Sequence, residues 1–292
     1  MGLGELPSGS VCVAWPSEGR QAGRSGKGEG GLYTALHMLT PEQRAGFMEL
    51  PPSRRLSYLV RCARQLGCQG LHIGPELPPP AAPSVLGELK PSVHAGGVFN
   101  AASAEPAEVQ HVIQNALDFA RRIGARDVSF HAPQEPDEPS GKAGARGKDI
   151  LSEALKQVLP AAQRLDLRLS LETCCGPPFV FADFAEVLCY CQSFPELGLL
   201  LDASYLHYAG GDAAAAAAGA KDRLWGVHVS DAIPGGDYLS HTHMPLTHGS
   251  LDLAAFIGAL REVGYDSFVA LEVKGSTQEI RSSLQQLQSL LA

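Results

Sequence analysis

From about residue 53 the chain alternates two textures, and that alternation limits what it can fold into. One is a helical stretch with apolar side chains three and four apart. The other is a short run rich in Val, Leu and Ile. "SRRLSYLVRCARQLG" leads into "CQGLHIG", "PAEVQHVIQNALDFARRIG" into "ARDVSFH", and "KDILSEALKQVLPAAQRLD" into "LRLSLE". "FADFAEVLCYCQSF" leads into "LGLLLD", "DAAAAAAGAKD" into "LWGVHV", and "LDLAAFIGALREVG" into "FVALEV", before "TQEIRSSLQQLQSLLA" closes the chain as a helix. Pro106 suits the first turn of its helix. With "GSVCVAW" near the start and "LKPSVHA" near residue 92, eight strands are expected. Strand-helix alternation predicts a parallel sheet with helical crossovers, and continuous apolar strands predict burial on both faces. Eight such units in 292 residues fit an α/β fold of the (β/α)8 kind, a TIM barrel, as one domain over residues 1–292. A doubly wound open sheet is the rival; no Gly-rich fingerprint follows the first strand to support it.

Two polar stretches interrupt the repeat. "SEGRQAGRSGKGEGG" opens a long insertion after the first strand, residues 17–52. "QEPDEPSGKAGARGKD", residues 134–149, reads as a flexible loop after the fourth. Both leave the strand ends where barrels place active sites, so each is read either as an unstructured loop or as a substrate lid.

The strand ends carry the chemistry. His94 ends the third strand, His131 the fourth, Glu172 the fifth, Asp202 the sixth, His228 the seventh and Glu272 the eighth. Each alone has a plain explanation as a polar cap or half of an ion pair. Together they converge on one barrel face, where burying so many ionisable groups is costly unless something compensates. A divalent metal compensates, and Asp, Glu and His suit Zn, Mn, Co or Mg. Between the last two strands, "SHTHMPLTHGSLD" adds His241, His243 and His248.

Charge and composition narrow the partners. The formal net charge is −8, and no long basic run advertises nucleic-acid binding. Seven cysteines, an odd number without a CxxC pair, read as reduced thiols in a cytoplasmic protein. No run is long and apolar enough for a membrane span, and the opening "MGLGELPSGS" does not read as a secretory signal.

The pieces "HAGGVFNAA", "SFHAP", "LSLET", "LLLDASYLH", "GVHVSD" and "HMPLTHGSLDLAAFIGALREVGYDSFVALEV" resemble, in this order, the xylose isomerase-like TIM barrels, the superfamily of sugar isomerases and epimerases and of endonuclease IV. The resemblance spans about residues 53 to 275. It implies a metal site of Glu172, Asp202, His228 and Glu272, with Glu172 and Glu272 as the catalytic pair. His94 and His131 match histidines that bind a second metal in the endonuclease, and His243 matches a third-metal ligand there. The chain departs from the pattern where Tyr205 stands in place of a common histidine, with His207 two residues on, and where His241 replaces an aspartate. Gly96 and Gly97 occupy the turn that carries the endonuclease's DNA-inserting aromatic.

Three functions follow as expectations. The first is a divalent-metal-dependent sugar or polyol isomerase or epimerase acting on a small carbohydrate-like substrate, with Trp15, Phe99 and Trp225 either walling the sugar or filling the core. The second is an endonuclease IV-like zinc phosphodiesterase on abasic-site DNA, with Arg20, Arg24, Lys27, Lys142, Arg146 and Lys148 at the mouth either as a DNA surface or as solvated loop charge. In either reading His94, His131, His207, His241 and His243 are the pool for a second metal or the substrate. The third is a degenerate barrel that binds a metal or metabolite without turnover.

Overall fold

A computed structural model describes residues 11–13, 47, 49–75, 77, 85–95, 99–134, 141–174, 176 and 179–291. Eight parallel strands close into a barrel in sequence order. They are β1 (Val11–Val13), β2 (Gly70–Ile73), β3 (Lys90–Ala95), β4 (Asp127–Phe130), β5 (Arg168–Glu172), β6 (Leu197–Asp202), β7 (Leu224–Val229) and β8 (Phe268–Leu271). Pairing of β1 with β8 closes the ring, Cys12 opposite Ala270. The helices are α1 (Pro52–Gln65), α2 (Pro106–Ile123), α3 (Gly141–Arg164), α4 (Phe184–Gln192), α5 (Ala203–Tyr208), α6 (Ala213–Ala220), α7 (Tyr238–His241), α8 (Leu253–Glu262) and α9 (Thr277–Leu291). The expected TIM barrel is therefore the fold.

The period of two along each strand sorts its side chains. Outward residues such as Val93, Val128, Phe130, Leu169, Leu171 and Val227 join the large core between sheet and helices. Inside, a small apolar group of Leu200, Phe268 and Ala270 lies apart from that core. Gly226 makes room for it, because a Cβ there would meet Phe268 Cζ at 2.6 Å and Leu200 Cδ1 at 3.1 Å. The other inward positions are polar and buried: His72, Ser92, His94, Ser129, Ser170, Glu172, Asp202 and His228.

Local signals match the helix starts. Glu105 and Glu108 form a reciprocal capping box at α2, with Pro106 in the first turn. Asp183, Asp212 and Asp252 cap α4, α6 and α8. Two short helices, α5 and α7, arise in "ASYLHY" and "YLSH", segments to which the sequence pattern assigns no element.

The loop expected over 134–149 is corrected from Gly141 onward, where α3 begins. Its glycines read as loop glycines, but Gly144, Gly147 and Ile150 are buried at a spacing of three. At Gly147 a Cβ would meet Val180 Cγ1 at 2.6 Å and Ala101 Cβ at 2.9 Å, so this glycine permits close packing rather than a turn. Of the 17–52 insertion, residues 17–46 and 48 lie outside the described residues, as do Trp15, Gly96 and Gly97. Phe47 is fully buried, its ring 6.1 Å from that of Tyr58.

Candidate metal centre

The strand ends meet as their alternation requires. In register, Asp202 pairs with His228 and Glu172 with Leu200, so three ionisable side chains enter the barrel at one level. Glu272 follows β8 directly, its N–H donating to the Val229 carbonyl at 2.9 Å. One ligand atom from each of Glu172, Asp202, His228 and Glu272 lies within 4.8 Å of the others, and all four residues are buried.

Asp202 shows how local structure divides the work of one side chain. As N-cap of α5, its Oδ1 accepts from the Tyr205 N–H at 2.8 Å. Its own N–H donates to Thr173 Oγ1 at 2.8 Å. Its Oδ2 is buried without a hydrogen bond. The same is true of both Glu172 carboxylate oxygens, both His228 ring nitrogens and Glu272 Oε2. Buried polar atoms are nearly always satisfied, so six orphans in one cluster call for an absent partner. Three carboxylates and an imidazole, converged and with six atoms that no hydrogen bond satisfies, fit a small divalent cation.

Electrostatics point the same way. Burial works against charge on His228, but Glu272 and Glu172 outweigh it and hold its pKa well above the usual histidine range. Burial raises the Asp202 pKa, with Glu172 and Glu272 adding to the rise. Without a metal, His228 is thus a strong counter-charge among the three acids, with His131 a second one beside Glu172. A bound cation would take over that role and free the imidazole to act as a neutral ligand.

Glu172 also faces the other way. Its Oε2 lies 3.0 Å from His131 Nε2 and 3.5 Å from His94 Nε2, while Oε1 lies 3.3 Å from His228 Nδ1. Glu172, His94 and His131 form a second buried group with metal-ligand spacing. Burial keeps His94 well below the usual histidine range, with His131 adding to that. For His131 burial is opposed by Glu172, and the balance raises it.

The remaining candidate histidines separate. His243 is buried beside the centre, its backbone in the left-handed region at φ 54°. Its N–H donates to Ser204 Oγ at 3.0 Å, and its ring meets Tyr205 edge-on at 4.8 Å. His207 instead pairs with Ser250 Oγ at 2.9 Å, and His241 Nδ1 with the Gly235 carbonyl at 2.8 Å. Among the described residues neither belongs to a group with metal-ligand spacing. His207 points away because α5 turns the chain after Asp202 and brings Tyr205 inward. His248 lies 3.8 Å from Glu279, outside the centre.

An aromatic wall borders the site. Tyr205 and Tyr238 stack with rings 2° apart in plane at 5.7 Å, and Phe179 meets both edge-on. Burial pushes both tyrosine pKa values well up, so they stay protonated. Trp225 is not part of this wall: it follows the first residue of β7 and would meet a Cβ on Gly198, near the start of β6, at 2.1 Å. Phe99 belongs to the outer core.

The strand-end pattern missed His72, Ser92 and Ser129. All three are buried inside the barrel, with His72 Nδ1 2.7 Å from Ser92 Oγ and His94 Nδ1 2.7 Å from Ser129 Oγ. The available signal was a polar residue at an inward position of an otherwise apolar strand, as in "GLHI".

Comparison with known proteins agrees with this architecture. The model of the family described as "Xylose isomerase-like TIM barrel" matches residues 57–290. The chain belongs to that family. No curated protein matches its sequence. Among solved structures, a D-tagatose 3-epimerase-like protein is similar at 16% identity and a TM-score of 0.64, over 88% of this chain and 95% of that one. The E. coli 3-keto-D-glucoside 4-epimerase matches at 17% identity and 0.67, over 82% and 96%. A xylose isomerase domain protein from Alicyclobacillus acidocaldarius matches at 20% identity and 0.63, over 84% and 95%. These likenesses establish a shared fold.

Proposed function

We propose that this protein is a divalent-metal-dependent epimerase or isomerase of a sugar or polyol. Glu172, Asp202, His228 and Glu272 hold the cation, and Glu172 and Glu272 form the proton-transfer pair. The observation that carries the reading is the set of six buried, unpartnered ligand atoms on those four residues. The epimerase names among the structural neighbours support the substrate class.

A bound divalent cation supplies Lewis acidity, drawing electrons from a substrate carbonyl and making the neighbouring C–H acidic. The chain's own residues do the rest. Glu172 on β5 and Glu272 after β8 come from strands three places apart in the ring, so their carboxylates reach the centre from different directions. One carboxylate removes the carbon-bound proton and the other returns a proton to the opposite face, which inverts the carbon. Asp202 and His228 fix the cation. The wall of Phe179, Tyr205 and Tyr238 shields the site from water and offers apolar faces to the C–H side of a sugar. The whole chain acts as one barrel domain, and its free thiols at Cys62, Cys68, Cys174, Cys189 and Cys191 suit a reducing cytoplasm. No helix among the described residues is long and apolar enough to cross a membrane.

The test is a panel of ketoses and keto-polyols in deuterated water with Mn, Co or Mg added. Deuterium entering at the carbon beside the carbonyl of one substrate supports the reading. No exchange across the panel with a metal-loaded protein overturns it.

A second reading rests on the group of His94, His131 and Glu172, which offers a place for a second cation and hence for phosphodiester hydrolysis. Against it, Arg146 pairs with Glu105 at 3.0 Å and Lys148 with Glu186, so neither is a free cation for a phosphate backbone. Cleavage of an abasic-site duplex by zinc-loaded protein would favour it.

A further inference from the structure

Below the candidate metal centre runs a chain of buried contacts through the barrel. Ser92 Oγ lies 2.7 Å from His72 Nδ1, His72 Nε2 lies 3.4 Å from Ser129 Oγ, and Ser129 Oγ lies 2.7 Å from His94 Nδ1. His94 Nε2 then lies 3.2 Å from His131 Nε2. The register of the sheet builds this line, since His72 stands opposite Ser92 on β3 and His94 opposite Ser129 on β4.

The distances assign the protons. Only one of two imidazole nitrogens 3.2 Å apart can carry a hydrogen pointed at the other. His131 Nε2 is the nearer to the Glu172 Oε2 charge, at 3.0 Å against 3.5 Å for His94, and gains more from carrying hydrogen beside that carboxylate, so the hydrogen is assigned to His131. His94 Nε2 is then bare, and neutral His94 has its hydrogen on Nδ1, donated to Ser129 Oγ. The Ser129 hydroxyl hydrogen turns to His72 Nε2, with the Val93 carbonyl 3.5 Å away as its alternative. His72, bare at Nε2, donates from Nδ1 to Ser92. The hydrogens of His94 Nδ1, Ser129 and His72 Nδ1 each then have an acceptor in the line.

We propose that Ser129, backed by His72 and Ser92, is a positioning residue that fixes His94 with hydrogen on Nδ1 and a bare Nε2 aimed into the site. That lone pair beside Glu172 is what a cation or a substrate hydroxyl would need. The inference rests on the reading of this cavity as a ligand site, but the proton assignment stands or falls without turnover. A hydrogen-bond partner behind a ligating histidine commonly sets its tautomer and ring orientation.

The experiment is a long-range proton–nitrogen NMR correlation on metal-stripped protein labelled with nitrogen-15 in histidine, which reports the nitrogen that carries hydrogen. The expected result is His72 and His94 both protonated at Nδ1. Hydrogen on His94 Nε2 overturns the proposal, whatever the protein's activity. Ser129→Ala removes the acceptor of the Nδ1 hydrogen, so the His94 hydrogen should redistribute toward Nε2, with the His131 hydrogen turned to Glu172, and binding of added Mn or Zn at the His94 position should weaken by about 10- to 100-fold. Ser129→Thr, which keeps the hydroxyl, should retain the original tautomer. An unchanged tautomer in Ser129→Ala, or equal loss of it in both variants, means packing rather than the hydroxyl sets the ring. Failure of the sugar panel with the tautomer intact would sink the proposed reaction and leave this assignment standing.

Discussion

His228 Nδ1 lies 2.6 Å from Glu272 Oε2, yet neither atom is aligned for a hydrogen bond. Contact without alignment is what side chains show when they point at a shared centre rather than at each other. It also means that the cation-free cluster is an unfavourable arrangement, with Glu172, Asp202 and Glu272 crowded around His228 and only Glu172 in reach of the further imidazoles of His94 and His131.

That crowding gives stability and metal affinity opposite signs at Asp202. Asp202→Asn keeps the Oδ1 that caps α5 and removes one of the three carboxylate charges. The stripped variant should gain on the order of 1 kcal/mol over stripped wild type, as relief of a functional strain often does. Its affinity for a divalent cation should fall by more than about 100-fold, beyond the usual outer-shell effect. Thermal melts with and without metal measure both; a variant less stable in both conditions would mean that the cluster is not strained.

Glu172→Gln and Glu272→Gln test the proton-transfer pair. Both variants should fold, because shape is conserved. Each should lose about 100- to 10,000-fold in turnover, the usual worth of a general acid or base. In Glu272→Gln, exchange of substrate hydrogen with solvent should outlast net epimerisation if Glu172 removes the first proton. Wild-type turnover in either variant would remove that residue from the mechanism.

The buried His243 predicts a pH dependence. Burial lowers its pKa to about 4, with Lys274 also opposing its charge and Asp202 favouring it. A histidine neutral in the fold gives stability that is fully present above its unfolded value near 6.5 and is lost as pH falls toward the folded value. Stripped protein should therefore weaken between about pH 6.5 and 4, by up to roughly 3 kcal/mol from this residue alone. His243→Gln should flatten that decline in melting temperature; an unchanged slope would mean that His243 is not buried as a neutral ring.

Gly147→Ala separates a packed helix from a loop. Alanine favours a helix interior over glycine by ~1 kcal/mol. Here the added methyl would meet Val180 and Ala101 at 2.6 and 2.9 Å, and overpacking costs about 1–3 kcal/mol. Net destabilisation is expected. A neutral or stabilising result would mean that residue 147 is not closely packed against Val180 and Ala101.

The barrel was legible because its strands are apolar on both faces and its helices amphipathic, so both periods survive in the sequence. The four-residue centre was legible because Glu172, Asp202, His228 and Glu272 each interrupt an apolar run at its end. His72 was hidden because it stands inside a strand, where only the closed ring shows that alternate residues face a polar interior. The start of α3 was hidden because Gly141, Gly144 and Gly147 read as loop glycines, and only the neighbours of Gly147 reveal a packing role. That Tyr205 rather than His207 faces the centre was hidden because α5, a helix of six residues, is set by its Asp202 cap rather than by any hydrophobic period.

The most direct test of the account is a calorimetric titration of Mn into metal-stripped wild type, with Glu172→Gln and His228→Ala beside it. A saturable site is expected in the wild type, which both variants should weaken by more than about 100-fold while keeping the fold. Absence of binding in folded wild type, or equal binding in all three, would contradict the claim that these strand ends form a metal centre.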